Sequence, residues 1–135
     1  MKKVLFVCVG NSCRSQMAEG FARFFGGGML EPYSAGSRPF GRVDPIAIKV
    51  MKEAGIDISS QRSKGFDELG VKEFDMVITL GCGDVCPFVP AKKHVNWQIE
   101  DPKGGEIEHF RMIRDRIRDL VKGLAVSLAR DEKRR

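Results

Sequence analysis

Apolar residues alternate along the chain in two rhythms. Lys3 to Val9 is a nearly continuous apolar and β-branched run, the pattern of a strand buried on both faces, whereas Ser15 to Phe25 carries Met17, Phe21, Phe24 and Phe25 at helical spacing. Only a tight loop fits between them. Gly26-Gly27-Gly28 closes the helix, and Leu30 to Ala35 reads as a second strand ending at Gly36. Asp44 and Pro45 then supply an N-cap and a first-turn proline for a helix carrying Ile46, Ile48, Val50 and Met51, with Gly55 as its stop. Phe66 to Phe74 reads as a short helix, Asp75 to Leu80 as a buried strand and Val95 to Ile99 as a fourth strand. Glu106 to about Ala129 is the longest helix, with Phe110, Ile113, Ile117, Leu120, Val121, Leu124 and Leu128 in one apolar stripe. Buried strands alternating with amphipathic helices predict an α/β fold: a parallel sheet of four strands flanked by helices on both faces, with ligand sites at the strand C-terminal ends.

At 135 residues the chain suits one domain spanning 1–135, and 42% hydrophobic with 30% charged residues excludes a disordered or fibrous chain. The longest apolar run, Val4 to Val9, falls far below the ~20 residues a membrane span needs, so no membrane association and a cytoplasmic location are expected. The net charge of +5 is unevenly placed: residues 1–110 hold 14 basic and 14 acidic residues, and residues 111–135 hold 9 against 4. That excess belongs to the end of the last helix rather than to a basic stripe interleaved with aromatics, so no nucleic-acid partner is expected. Four cysteines grouped as Cys8, Cys13 and Cys82, Cys86 do not make a secreted disulfide framework and point to chemistry instead.

The first strand runs into Cys8-Val9-Gly10-Asn11-Ser12-Cys13-Arg14-Ser15, a Cys and an Arg separated by five residues at the start of a helix. Gly10 and Asn11 tolerate left-handed backbone angles, so the loop can curl with its amides turned toward a tetrahedral oxyanion. The expected oxyanion contacts are Val9, Gly10, Asn11, Ser12, Cys13, Arg14 and Ser15. The helix N-terminus adds its unpaired amides and Arg14 a planar fork. The same field favours a nucleophilic sulfur at Cys8, to which Ser15 can donate a hydrogen bond. Cys13 is read as structural. Glu100-Asp101-Pro102-Lys103-Gly104-Gly105 is a polar loop after the last strand, so the Asp101 carboxyl can stand over the same sheet end as Cys8 and protonate a leaving oxygen; alternatively it only starts the last helix. Cys82 and Cys86, four residues apart in a glycine-containing loop, can bend into a disulfide, form half of a zinc site or fill the core. His94 and His109 are not spaced as a second zinc pair, so no metal is expected, and with Trp97 they read as surface or packing residues.

These residues resemble the low-molecular-weight protein tyrosine phosphatase family and, more closely, its thioredoxin-coupled arsenate reductases. The resemblance covers nearly the whole chain: Phe6-Val7-Cys8 through Glu19-Gly20, Tyr33-Ser34-Ala35-Gly36, Asp57-Ile58-Ser59, Val77-Ile78-Thr79-Leu80, Cys86-Pro87 and Asp101-Pro102. It implies a four-stranded parallel sheet with a Cys-x5-Arg phosphate loop, Cys8 as nucleophile, Arg14 gripping the oxyanion and Asp101 as general acid. It also implies that Cys82 attacks Cys8 and Cys86 then attacks Cys82, leaving a Cys82–Cys86 disulfide. No bound cofactor is implied; thioredoxin supplies the electrons, or glutaredoxin with glutathione or another small thiol. Arsenate or phosphate is the expected ligand and a monomer the expected state.

Three departures from the family pattern matter. The loop between Cys82 and Cys86 is about two residues shorter than in the best-known reductases, which leaves the order of thiol transfers open. The aromatic ring walls that follow the Asp-Pro in the phosphatases are replaced by Lys103 and Gly104, which favours a small inorganic oxyanion. Thioredoxin-coupled members hold a potassium ion at positions matching Asn11, Glu19 and Ser34 plus an Asp; Lys64 stands near that Asp's place, so its ammonium is expected to pair with Glu19 instead. The alternative function is a phosphatase hydrolysing phosphomonoesters through a phosphocysteine, and a non-enzymatic oxyanion-binding module is the third reading.

Overall fold

The computed structural model describes residues 1–81 and 88–133. Its strands are β1 (Lys2–Cys8), β2 (Leu30–Gly36), β3 (Phe74–Leu80) and β4 (Ala91–Trp97), and its helices are α1 (Arg14–Gly26), α2 (Pro45–Glu53) and α3 (Ile107–Lys133). The strands form one sheet in the order β2-β1-β3-β4, every neighbouring pair parallel. From β1 the chain goes to one side and returns to pair β3 on the other, so the order reverses between β1 and β3. That reversal opens a crevice at the strand C-terminal ends, where Cys8 ends β1.

The central strand β1 is buried on both faces, which is why its sequence is continuous rather than alternating. Val4, Phe6 and Cys8 share one core with Ile78, Leu80 and the apolar stripes of all three α-helices. Leu5 and Val7 face the opposite core with Ala35, Phe74 and Val77. The two faces are covered unequally. Phe66, Leu69 and Val71 close the second face, and of the helix expected over Phe66 to Phe74 only a 3-10 turn, Phe66–Glu68, forms. Gly70, at φ 71°, turns the chain out of helical geometry directly after it.

Helix boundaries follow their signals. The Asp44 side chain accepts the Ile46 amide at 2.8 Å, Pro45 fills the first turn of α2, and Gly55 lies beyond its end at φ 85°. In α3, Phe110, Ile113, Ile117, Val121 and Leu128 are buried, while Leu120 and Leu124 pack half-buried against the same core. Strand β4 corrects the expected Val95 to Ile99: it begins four residues earlier, at Ala91, and stops at Trp97. Lys92, Lys93 and His94 are exposed on this sheet edge, where polar residues are tolerated and cations discourage pairing with another chain. Ile99 is buried in the loop beyond the strand. Among the described residues no helix is long and apolar enough to cross a membrane.

Candidate active site

Residues 9–13 join β1 to α1 as a loop whose main-chain carbonyls are held from outside. Val9 O accepts the Arg38 amide at 2.9 Å, Gly10 O the Phe40 amide at 2.8 Å, and Ser12 O the Asp44 amide at 3.0 Å. Asn11 O accepts from Gln16 Nε2 at 3.0 Å. No peptide bond among the described residues is cis. In a planar trans peptide the N–H lies opposite the preceding C=O, so with four carbonyls turned outward the amides of Gly10, Asn11, Ser12 and Cys13 turn inward. Cys8, Gly10, Ser12, Cys13 and Arg14 line one cleft with Asp101 and Lys103. The first turn of α1 adds Arg14 and Ser15, whose amides precede the first intrahelical bond, from Met17 N to Cys13 O. Val9 sits at the base of the loop, where these bonds impose no direction on its amide.

The curl depends on Asn11, the only described non-glycine residue at positive φ, at 47°. Its buried side chain offsets that strain. Asn11 Oδ1 accepts the Lys64 amide at 2.8 Å and Gln16 Nε2 at 2.9 Å, which fixes the amide orientation and sends Nδ2 to Ser15 Oγ at 2.7 Å. The Ser15 oxygen therefore accepts from Asn11 and has its single proton left for Cys8 Sγ, 2.9 Å away. The outward carbonyls thus set the curl of the loop, and Asn11 orients the one hydroxyl, Ser15, that reaches the sulfur at the strand end.

Arg14 is seated from behind. Its Nη1 donates to Leu80 O at 2.5 Å and Ile99 O at 3.0 Å, the main chain at the ends of β3 and of the segment after β4. Nη2 lies 3.7 Å from Asp101 Oδ2, and the buried Nε has no partner among the described residues. Nε and Nη2 together form the guanidinium edge that can grip two oxygens of an anion. Gly81, at φ 77°, is pressed against this seat: a Cβ there would lie 2.5 Å from Ile99 O and 2.9 Å from Arg14 Nη1. The Asp101 carboxyl is half-exposed, and the Lys103 amide bonds its Oδ1 at 3.1 Å.

Cys8 and Cys13 are both buried free thiols. Burial, first, and the charges of Asp44 and Asp101 push the Cys13 thiol up to about 12, so it stays protonated at neutral pH. Cys82 and Cys86 lie outside the described residues. Lys64 pairs with Glu19 as expected: Nζ lies 3.6 Å from Glu19 Oε1, donates to Ser34 Oγ at 3.3 Å, and Ser34 in turn donates to Glu19 Oε1 at 2.5 Å. Arg23 bonds the other oxygen of this buried carboxylate at 2.8 Å.

Sequence reasoning missed the outer support. Gln16, fully buried, donates from one amide to Asn11 and to Arg62 O, and receives Gln61 Nε2 on both its oxygens. Ser63 Oγ reaches Gly10 O at 3.1 Å. The available signal was a glutamine among the core-facing positions of the first turn of α1, a polar group that needs partners there. The partners themselves lie 45 or more residues away, and no periodicity predicts them.

The family model described as low molecular weight phosphotyrosine protein phosphatase matches residues 3–134. The glutaredoxin arsenate reductase of Synechocystis sp. is 44% identical over 132 residues, covering 96% of this chain and 100% of that protein. Among solved structures, an arsenate reductase in the phosphate binding state superposes with a TM-score of 0.84 at 43% identity, over 95% of this chain and 99% of that one. The Corynebacterium glutamicum thioredoxin-dependent arsenate reductase gives a TM-score of 0.73 at 37% identity, over 94% of this chain and 63% of that one.

Proposed function

The chain belongs to the low-molecular-weight phosphotyrosine protein phosphatase family, and from that premise we propose that it is an arsenate reductase working through a thiol relay. The observation that carries this reading is the cup itself: inward amides and the Arg14 guanidinium, with its Nε unpartnered among the described residues, line one cleft with Cys8, whose sulfur Ser15 reaches. A tetrahedral oxyanion in the cup lies in line with that sulfur. Arg14 and the amides hold its oxygens in the ground state and in the five-coordinate transition state, where the charge they oppose is greatest. Cys8 attacks arsenic(V), an As–S bond forms, and Asp101 gives its proton to the departing hydroxyl, which leaves as water.

Reduction then needs two electrons from thiols. Cys82 attacks the Cys8 sulfur, the As–S pair returns to arsenic, and arsenite leaves as the Cys8–Cys82 disulfide forms. Cys86 attacks Cys82 and frees Cys8, and thioredoxin reduces the Cys82–Cys86 product. Glutaredoxin with glutathione is the competing reductant, favoured by the name of the Synechocystis relative. Phosphate has the same shape and charge as arsenate, so hydrolysis of phosphomonoesters through a phosphocysteine is a secondary activity of the same cup.

The test couples arsenate reduction to NADPH consumption through thioredoxin reductase and thioredoxin, and in parallel through glutaredoxin and glutathione. Cys82→Ser is expected to abolish arsenate turnover while sparing hydrolysis of p-nitrophenyl phosphate, and Cys8→Ser to abolish both while phosphate still binds. Equal loss of both activities in Cys82→Ser, or loss of neither, overturns the relay.

A further inference from the structure

Lys103 lies across the mouth of the cup, and neither nucleophilic attack nor proton transfer uses it. Its Nζ stands 3.6 Å from the centroid of the Phe40 ring and 3.4 Å from Asp44 Oδ2. Both partners are fixed to the loop itself, because the Phe40 amide bonds Gly10 O and the Asp44 amide bonds Ser12 O. The other end of the residue is fixed too, since its own amide bonds Asp101 Oδ1. One side chain therefore spans from the carboxylate loop on one wall to the loop rim on the other. It does so above the cleft that it lines with Cys8 and Arg14. Only about a third of the Lys103 side chain is exposed, so it lies along the opening rather than extending into water.

We propose that Lys103, clasped by Phe40 and Asp44, is a specificity-determining residue that admits small inorganic oxyanions and disfavours their aryl esters. This rests on the arsenate reading of the cup and deepens it. An inorganic tetrahedral anion has no substituent and fits entirely beneath the strap, where the ammonium adds an attractive charge. An ester projects its organic group out of the cup past the rim that Lys103 spans, and to pass there it must lift the ammonium off the Phe40 face and away from Asp44. Selectivity arises from that displacement, which the inorganic ion does not require.

The experiment measures binding of inorganic phosphate and of phenyl phosphate by titration calorimetry, with Cys8→Ser added to every protein so that the ester is bound and not hydrolysed, and follows arsenate turnover separately in proteins that keep Cys8. Lys103→Ala is expected to shrink the preference for phosphate over phenyl phosphate roughly tenfold, with most of the change in the ester's Kd. Phe40→Ala, which keeps the cation but removes its platform, shifts the ratio the same way by a smaller factor. Lys103→Arg, able to stack on the ring and pair with Asp44, restores the wild-type ratio to within about twofold. A ratio unchanged in Lys103→Ala, both ligands weakened by one factor, or no rescue by arginine overturns the strap. If the unsubstituted protein fails to reduce arsenate with either reductant, the functional reading falls. The binding ratio still decides the role of Lys103.

Discussion

Gly36→Ala tests whether the cup is held from outside. Gly36 ends β2 directly opposite Cys8 in the sheet register, and its amide bonds Lys64 O at 3.0 Å. A Cβ at this position would stand 2.5 Å from Val9 O, 2.9 Å from Asn11 N and 3.0 Å from Asn11 Cβ. Two of these are main-chain atoms of the loop, so no rotamer change relieves the overlap; either the strand end or the loop must move by several tenths of an ångström. Overpacking of this kind costs about 1–3 kcal/mol. At roughly 2–5 °C per kcal/mol for a domain near this size, Tm falls by about 2–15 °C. Function should fall further than stability, because displacements approaching 1 Å in a reacting constellation cost about a hundredfold in rate. The assay is p-nitrophenyl phosphate hydrolysis together with phosphate binding, both well below the variant's Tm, with far-ultraviolet circular dichroism confirming the fold. Gly28→Ala is the control: its Cβ would meet nothing within 4 Å and its φ is not positive, so it should be neutral or gain about 0.4–1 kcal/mol. A Gly36→Ala protein that binds phosphate and turns over as the unsubstituted protein does would refute the claim that outer contacts set the loop.

Two further outcomes follow from the same geometry. Because burial holds the Cys13 thiol near 12, peptide mapping after iodoacetamide treatment of the native protein should find Cys13 unmodified, with no acceleration between about pH 7 and about pH 9. Rapid labelling that climbs across that range would mean the thiol is open to solvent. With the Lys64 ammonium lying against Glu19 and Ser34, replacing sodium by potassium at fixed ionic strength should leave kcat/KM for arsenate unchanged within about twofold, and a clear rise would contradict the occupancy of that place by Lys64.

The parts of the molecule legible in the sequence were those encoded by local pattern. The buried run of β1, the Asp44-Pro45 start of α2 and the stripe of α3 each satisfy their geometry with neighbouring residues, so spacing alone located them within a residue or two at their starts. Strand β4 was misplaced because an edge strand with one partner needs no apolar alternation at Lys92, Lys93 and His94. The Phe66 helix failed because its apolar residues cap the second face of the sheet from an irregular segment. At the site, Cys8, Asn11, Arg14 and Ser15 were visible because one short loop carries them all. Gln16, Gln61 and the main chain of 62–64 were not, because their role exists only once segments 45 or more residues apart touch.

The guanidinium of Arg14 leans on main-chain oxygens of residues 80 and 99 rather than on side chains. The oxygens that seat it therefore survive any apolar exchange at either position that the surrounding core accepts. The anion's charge is thus met by a side chain whose own footing is written in the backbone, and the identity of its neighbours matters less than the path of the two segments.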